Sequence, residues 1–193
     1  MKNNEKLLLL SCCAPCSVGV ISSLKKQGVN FTVLFYNPNI QPETEYIRRR
    51  DENMRVCNKL SIPFKELEYD PETWKQAVKG LENEPEKGKR CDACFYLRLK
   101  KACEYAKENG FTCVSSVLGI SRWKDFDQVC RAGKKAEAET GIPYDCTNWR
   151  KNGGLEKSER LAKEMNLYRQ TYCGCKPDKT CNNLKQNLFV LSS

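Results

Sequence analysis

Leu7-Leu8-Leu9-Leu10-Ser11 runs without a spacer into Cys12-Cys13-Ala14-Pro15-Cys16, and this junction limits the folds open to the chain more than any other segment. Four leucines with no polar alternation read as a strand buried on both faces, the pattern of a parallel sheet. They are too few for a signal-peptide core, which needs about 7 to 15 apolar residues. Pro15 suits the first turn of a helix, where its missing N–H costs nothing. Val18, Val20, Ile21 and Leu24 carry that helix to a stop at Gly28. Three thiols therefore occupy a strand-to-helix turn, where backbone N–H groups and the helix dipole favour thiolate over thiol.

The alternation continues. Residues 31–36 predict a second strand, broken by Asn37-Pro38-Asn39, then residues 43–60 a charged amphipathic helix and residues 63–69 a third strand. A helix centred on Trp74, a polar loop over 82–90 and a helix over 94–108 follow, the last stopping at Gly110. Residues 112–118 give a fourth strand, and helices over 125–140 and 155–166 precede a cysteine-rich C-terminal tail without a clear period. The expected fold is α/β, a mainly parallel sheet with helices on both faces, Rossmann-like or nucleotide-hydrolase-like. With no linker or repeat, residues 1–193 are expected to form a single domain. Ligands of such sheets gather beyond the carboxyl ends of the strands. The Cys12 to Cys16 turn lies at that rim, and residues 119–127 should reach it too.

A chain of 193 residues can bury roughly 70% of its unfolded surface, so its 13 cysteines are not needed as staples. Their odd number also argues against a full set of structural bridges. No stretch approaches the ~18 apolar residues of a membrane span. The expectation is a cytoplasmic protein, kept where thiols stay reduced and away from the membrane. Lys and Arg total 33 against 24 acidic residues, a net charge of +9 that favours a polyanionic partner, although a solvated basic surface gives the same balance. Histidine is absent. That excludes Cys-His dyads, histidine zinc sites and imidazole acid-base chemistry, leaving Cys, Asp, Glu, Tyr and Lys.

Cys91-Asp92-Ala93-Cys94 is a C-x-x-C at a loop-to-helix junction, a spacing that lets two sulfurs face one metal and also suits a redox dithiol. With Cys12 and Cys13 it supplies four thiolates, enough for a [4Fe-4S] cluster or a structural zinc ion. Adjacent Cys12 and Cys13 suit the separate iron corners of a cluster better than a closed tetrahedron. Cys173-Gly174-Cys175 is a C-x-C whose glycine permits a small, easily reduced disulfide ring; unrelated tail thiols would have the same spacing. Cys57, Cys103, Cys113 and Cys130 fall within predicted helices or a strand, where a small buried residue is the ordinary explanation. Cys146 and Cys181 carry no assignment.

Four separated segments carry a family resemblance: Ser11-Cys12-Cys13-Ala14-Pro15-Cys16-Ser17, Phe35-Tyr36-Asn37-Pro38-Asn39-Ile40, Cys91-Asp92-Ala93-Cys94-Phe95 and Tyr168-Arg169-Gln170-Thr171-Tyr172-Cys173-Gly174-Cys175. In this order they resemble epoxyqueuosine reductases of the QueH type, over roughly residues 7 to 176. The resemblance implies an iron-sulfur oxidoreductase that removes the epoxide oxygen of epoxyqueuosine at the tRNA wobble position without cobalamin, completing queuosine. It implies a [4Fe-4S] cluster on Cys12, Cys13, Cys91 and Cys94, an additional mononuclear iron, Cys16 as a further metal ligand, and a redox-active disulfide between Cys173 and Cys175. Its partners would be tRNA bearing epoxyqueuosine in the anticodon loop and an electron donor. Ser121-Arg122-Trp123-Lys124-Asp125 stands where many members carry Ser-Pro-His-Lys-Asn, so any role of that histidine does not transfer.

Epoxide deoxygenation takes two electrons and two protons, and a metal can assist as a Lewis acid toward the departing oxygen. Asp92 is the nearest candidate proton donor, and a helix cap is its structural alternative. Splayed anticodon bases stack on aromatic rings while Lys and Arg hold phosphates. Arg122-Trp123-Lys124 and Trp149-Arg150-Lys151 combine both groups and are the expected RNA contacts. Tyr168-Arg169 and Arg48-Arg49-Arg50 are weaker candidates, the latter because three consecutive positions spread around a helix and are usually solvated charge. The same thiolates and basic segments would also serve a non-catalytic zinc-bound tRNA-binding module. A nucleotide-activating sulfurtransferase is disfavoured because the first strand leads into CCAPC rather than a glycine-rich phosphate loop.

Overall fold

The computed structural model describes residues 5–175. Cys181 lies outside them, as does the rest of the tail beyond Cys175. Five strands, β1 (Leu7–Ser11), β2 (Phe31–Phe35), β3 (Phe64–Glu66), β4 (Cys113–Ser116) and β5 (Tyr144–Asp145), form one sheet in the order β3-β2-β1-β4-β5. Every pairing is parallel, with Leu7 opposite both Phe31 and Cys113. All five residues of β1 are buried, because a central strand faces helices on both sides. The unalternated leucine run is the sequence form of that position.

The helices are α1 (Ala14–Lys26), α2 (Glu43–Lys59), α3 (Pro71–Ala77), α4 (Lys89–Glu108), α5 (Phe126–Thr140) and α6 (Gly154–Glu164). α1 packs against α2 and α6, while α4 packs against α3 and α5, giving one layer over each face of the sheet. The α1–α6 contact is close: a Cβ on Gly19 would lie 2.2 Å from Ser158 Oγ, so only glycine fits there. Among the described residues no helix is long and apolar enough to cross a membrane.

The sequence expectation lacked β5, which is only two residues long, too short to show an alternation; β3 and β4 are shorter than the expected 63–69 and 112–118, and α4 begins at Lys89 instead of residue 94. Both residues of the C-x-x-C pair, Cys91 and Cys94, therefore ride on the opening turns of a helix. The chain moves from β1 outward through β2 and β3, then crosses to β4 and β5 on the other side. This reversal opens a crevice beyond the carboxyl ends of β1 and β4, where α/β sheets bind ligands. β1 delivers the cysteine turn to it, and β4 delivers a 3-10 turn (Leu118–Ile120) and the residues that follow.

Candidate active site

Cys13 caps α1 in an extended conformation, and Pro15 occupies the helix's first turn. Buried polar groups hold this turn from beneath. Asn37 Nδ2 donates to Ser11 O at 2.9 Å, and the hydroxyls of Ser11 and Ser17 donate to Asn53 Oδ1 at 2.6 and 3.1 Å. Arg98, among the largest fully buried side chains, donates to Tyr36 O at 3.3 Å and to Asn37 Oδ1. Each buried polar group thereby meets a partner, and the loops after β1 and β2 are locked together.

Within this frame the sulfurs of Cys12, Cys13 and Cys16 all lie within 4.8 Å of one another, the one metal-competent group of three found among the described residues. Cys16 is thus a full member of the group, while Cys91 and Cys94 stand apart from it in the wall of the same cavity. The three thiols share charge. Hydrogen bonding with Cys13 and Cys16 holds the Cys12 pKa well below that of an ordinary thiol, and the same bonds push Cys13 up to about 12 and raise Cys16. Cys12 is thereby the most acidic of the three.

The cavity has a volume of about 950 Å³, and seven thiols line it: Cys12, Cys13, Cys16, Cys91, Cys94, Cys173 and Cys175. Arg49, Arg90, Arg98 and Lys124 line it as well. Arg90 Nε is buried with no hydrogen-bond partner among the described residues. Trp74 Nε1 is likewise buried with no hydrogen-bond partner among the described residues, and burial raises the pKa of Cys94 against the opposing charge of Arg98. A sulfur-rich hollow with surplus buried donors suits an anionic occupant coordinated by thiolates.

Cys173-Gly174-Cys175 is docked onto this wall. Arg49 is buried, pairs with Glu45 at 2.6 Å, and donates to Cys173 O at 2.9 Å and Tyr172 O at 3.1 Å. Gln41 N donates to Gly174 O at 2.9 Å. Gly174 has φ +99°, and a Cβ there would press on Ile40 at 3.3 Å, so the turn needs glycine. Both thiols are free; a hydrogen bond from Cys175, with Lys124 and Arg98 nearby, lowers Cys173 to about 5. The expectation that Arg48-Arg49-Arg50 is solvated fails at Arg49. Its only sequence signal was the i,i+4 spacing from Glu45.

The predicted RNA segments divide. Arg122 and Trp123 lie at the cavity mouth, Trp123 being 77% exposed and Arg122 reaching Glu159 at 3.2 Å. Lys124 turns inward, its Nζ 3.9 Å from Cys12 Sγ. Trp149 packs half-buried against the core. Arg150 donates to Ile120 O at 3.3 Å, to Lys124 O at 2.6 Å and to Ser121 O, clamping the loop that carries Lys124. Lys151 is exposed. Lys124, Trp149 and Arg150 are therefore engaged within the protein, because the loops after β4 and β5 close on each other.

Asp92 is exposed inside α4, whose cap is Gly88, so it is not a helix cap, and it does not line the cavity. Cys57 and Cys103 are buried, with pKa values raised by burial to about 12 and about 11, as packing residues should be. Cys130 departs from that expectation, since it forms a disulfide with Cys146 that ties α5 to the segment after β5.

The family described as Epoxyqueuosine reductase QueH matches this chain over residues 7–179. The chain belongs to the epoxyqueuosine reductase QueH family. The QueH-family reductase of Acinetobacter baylyi is 48% identical over 90% of this chain and 80% of its own length. That of Haemophilus influenzae is 47% identical over 89% and 71%, and that of Thermotoga maritima 34% identical over 88% of each chain. As a QueH-family protein the chain is an oxidoreductase of queuosine biosynthesis and tRNA processing. Among solved structures, the U34-tRNA thiolase NcsA from Methanococcus maripaludis, determined with its [4Fe-4S] cluster, superposes with a TM-score of 0.56 at 15% identity, covering 96% of this chain and 68% of that one. A likeness at that identity establishes the shared α/β fold.

Proposed function

We propose that this QueH-family reductase works on epoxyqueuosine at the wobble position of tRNA, as a single cytoplasmic domain whose cysteine cavity holds a [4Fe-4S] cluster. Cys12, Cys13, Cys91 and Cys94 are the proposed cluster ligands, with Cys16 available to an additional iron. The observation that carries this reading is the convergence of seven thiols on one cation-lined cavity. The cluster carried by the NcsA neighbour, on the same fold, is consistent with it. When bound, such a cluster supplies one-electron transfers, and an iron beside it an open coordination position.

The chain's own residues contribute charge, electrons and position. Converting the epoxide to the alkene consumes two electrons and two protons and releases water. Oxidation of the Cys173 and Cys175 dithiol to a disulfide releases two electrons and two protons, so one dithiol balances one turnover. An external electron donor then restores the thiols. Lys124, Arg90 and Arg98 compensate the thiolates, while Arg49 fixes the dithiol against the cavity wall. Arg122 and Trp123, and the exposed Lys151, are the proposed RNA contacts, with an aromatic face for a splayed base beside cations for phosphates. Asp92 remains a candidate proton donor only from the solvent side of α4.

Anaerobically purified protein should contain iron and sulfide and, under a strong reductant, convert epoxyqueuosine in tRNA to queuosine by nucleoside mass spectrometry. A colourless, iron-free protein that still binds tRNA would favour the zinc-bound RNA-binding alternative.

A further inference from the structure

Lys124 sits in a segment whose composition suggests RNA contact, yet its side chain points away from the surface where Trp123 is displayed. Its Nζ lies 3.9 Å from Cys12 Sγ and 5.9 Å from the centre of the Phe95 ring. Among the described residues no carboxylate forms an ion pair with it, although the neighbouring Arg122 and most other paired cations lie on the exterior. An ammonium turned inward without a carboxylate needs a different anion. The sulfur group supplies one.

The inward aim is built into the fold. Lys124 N donates to Ser121 O at 3.1 Å, closing a turn. Arg150 then grips that turn through the carbonyls of Ile120, Ser121 and Lys124. Arg98, another cation whose charge acts on Cys12, is committed to Tyr36 O and Asn37 Oδ1. Among the described residues the Lys124 ammonium has Cys12 as its one hydrogen-bonding neighbour.

We infer that Lys124 is a positioning residue of the sulfur group and not an RNA contact: its ammonium is the resident counter-cation of Cys12, Cys13 and Cys16, aimed at them by Arg150. The inference deepens the proposed cluster site and rests on it only where the iron-loaded protein is measured. A fixed positive charge beside the sulfur group raises the reactivity of Cys12 toward alkylating reagents and favours the more reduced state of any anionic centre bound there.

The test compares Lys124→Met, which keeps the stem and loses the charge, with Lys124→Arg, which keeps the charge; Lys124→Gln serves as a second uncharged variant should the methionine protein not fold. In reduced, metal-free protein at neutral pH, alkylation of Cys12, mapped by mass spectrometry, should slow at least roughly tenfold without the charge and stay near wild type with arginine. In anaerobically loaded protein the cluster midpoint potential, followed by electron paramagnetic resonance, should fall in the uncharged variant and recover with arginine. Binding of unmodified tRNA should keep the wild-type salt slope in Lys124→Met, whereas Arg122→Ala should make the slope shallower by about 0.7 to 0.9. Unchanged Cys12 alkylation, or a slope change in Lys124→Met like that of Arg122→Ala, overturns the inference. An iron-free wild type would instead defeat the cluster reading, and the alkylation and salt measurements would still decide the role of Lys124.

Discussion

Replacing Arg49 by methionine should both destabilise the protein and disable repeated turnover. Arg49 and Glu45 have side chains 3% and 9% exposed, and their pair is 2.6 Å long. Removing one member of a buried pair typically costs about 3–5 kcal/mol, because the other charge is stranded. Glu45 keeps a hydrogen bond from Tyr168 Oη at 2.9 Å, which places its share near the low end. The carbonyls of Cys173 and Tyr172 also lose a charged donor, each worth about 1 kcal/mol where partly hydrated. A total loss of about 5 kcal/mol is expected, a large fraction of the roughly 5–15 kcal/mol that stabilises a domain. The assay is urea unfolding of reduced, metal-free protein for Arg49→Met, Glu45→Gln and the double variant. Because neutral glutamine removes the stranded charge, the double variant should be more stable than Arg49→Met alone. Multiple-turnover activity should fall further than a single turnover, since the Cys173 and Cys175 turn loses its anchor. A loss below about 1 kcal/mol, or a double variant no more stable than Arg49→Met, would refute the argument.

Arg150→Met should cost about 2–4 kcal/mol in the same unfolding assay through three carbonyls left without their charged donor, and should leave the salt slope of tRNA binding unchanged; a shallower slope would return Arg150 to the RNA interface. In reduced, metal-free protein at pH 6.5, Cys173 should be alkylated ahead of Cys57, because a pKa lowered to about 5 leaves it a thiolate above that pH whereas Cys57, raised to about 12, stays a thiol. Peptide mapping that finds Cys57 modified first would contradict the charge distribution around the cavity. Trp123→Ala should weaken tRNA binding by about 1–3 kcal/mol, the worth of one stacked base, without altering stability or salt slope; unchanged affinity would remove Trp123 from the interface.

How much of this was legible beforehand differs residue by residue. The leucine run, Pro15 and the glycine stops were enough to predict an α/β fold with a parallel sheet, because strand burial and helix termination are local in origin. The two-residue β5 was not legible, since its existence depends on pairing with β4 rather than on its own pattern. The motifs alone marked the thiols that line the cavity, for cysteine clustering is rare enough to signal chemistry by itself. They did not distinguish side chains of one kind by direction. Arg48, Arg49 and Arg50 are neighbours in sequence, yet Arg49 is buried against Cys173 while Arg50 reaches Asp51 and Glu66 at the surface. Arg122, Trp123 and Lys124 likewise part company, the first two at the mouth and the third at Cys12.

The Cys-Cys-Ala-Pro-Cys turn shows the same division. Strand, helix start and three neighbouring thiols follow from covalent order and from the backbone preferences of leucine and proline, which act over a few residues. The thiols' own hydrogen bonds do most to set which of them bears the charge, and the rest comes from cations brought in by α4 and the loop after β4, Arg98 and Lys124. Electrostatic interaction depends on distance through space and on burial, so it was decided only when the chain reversed its strand order and closed the crevice between β1 and β4.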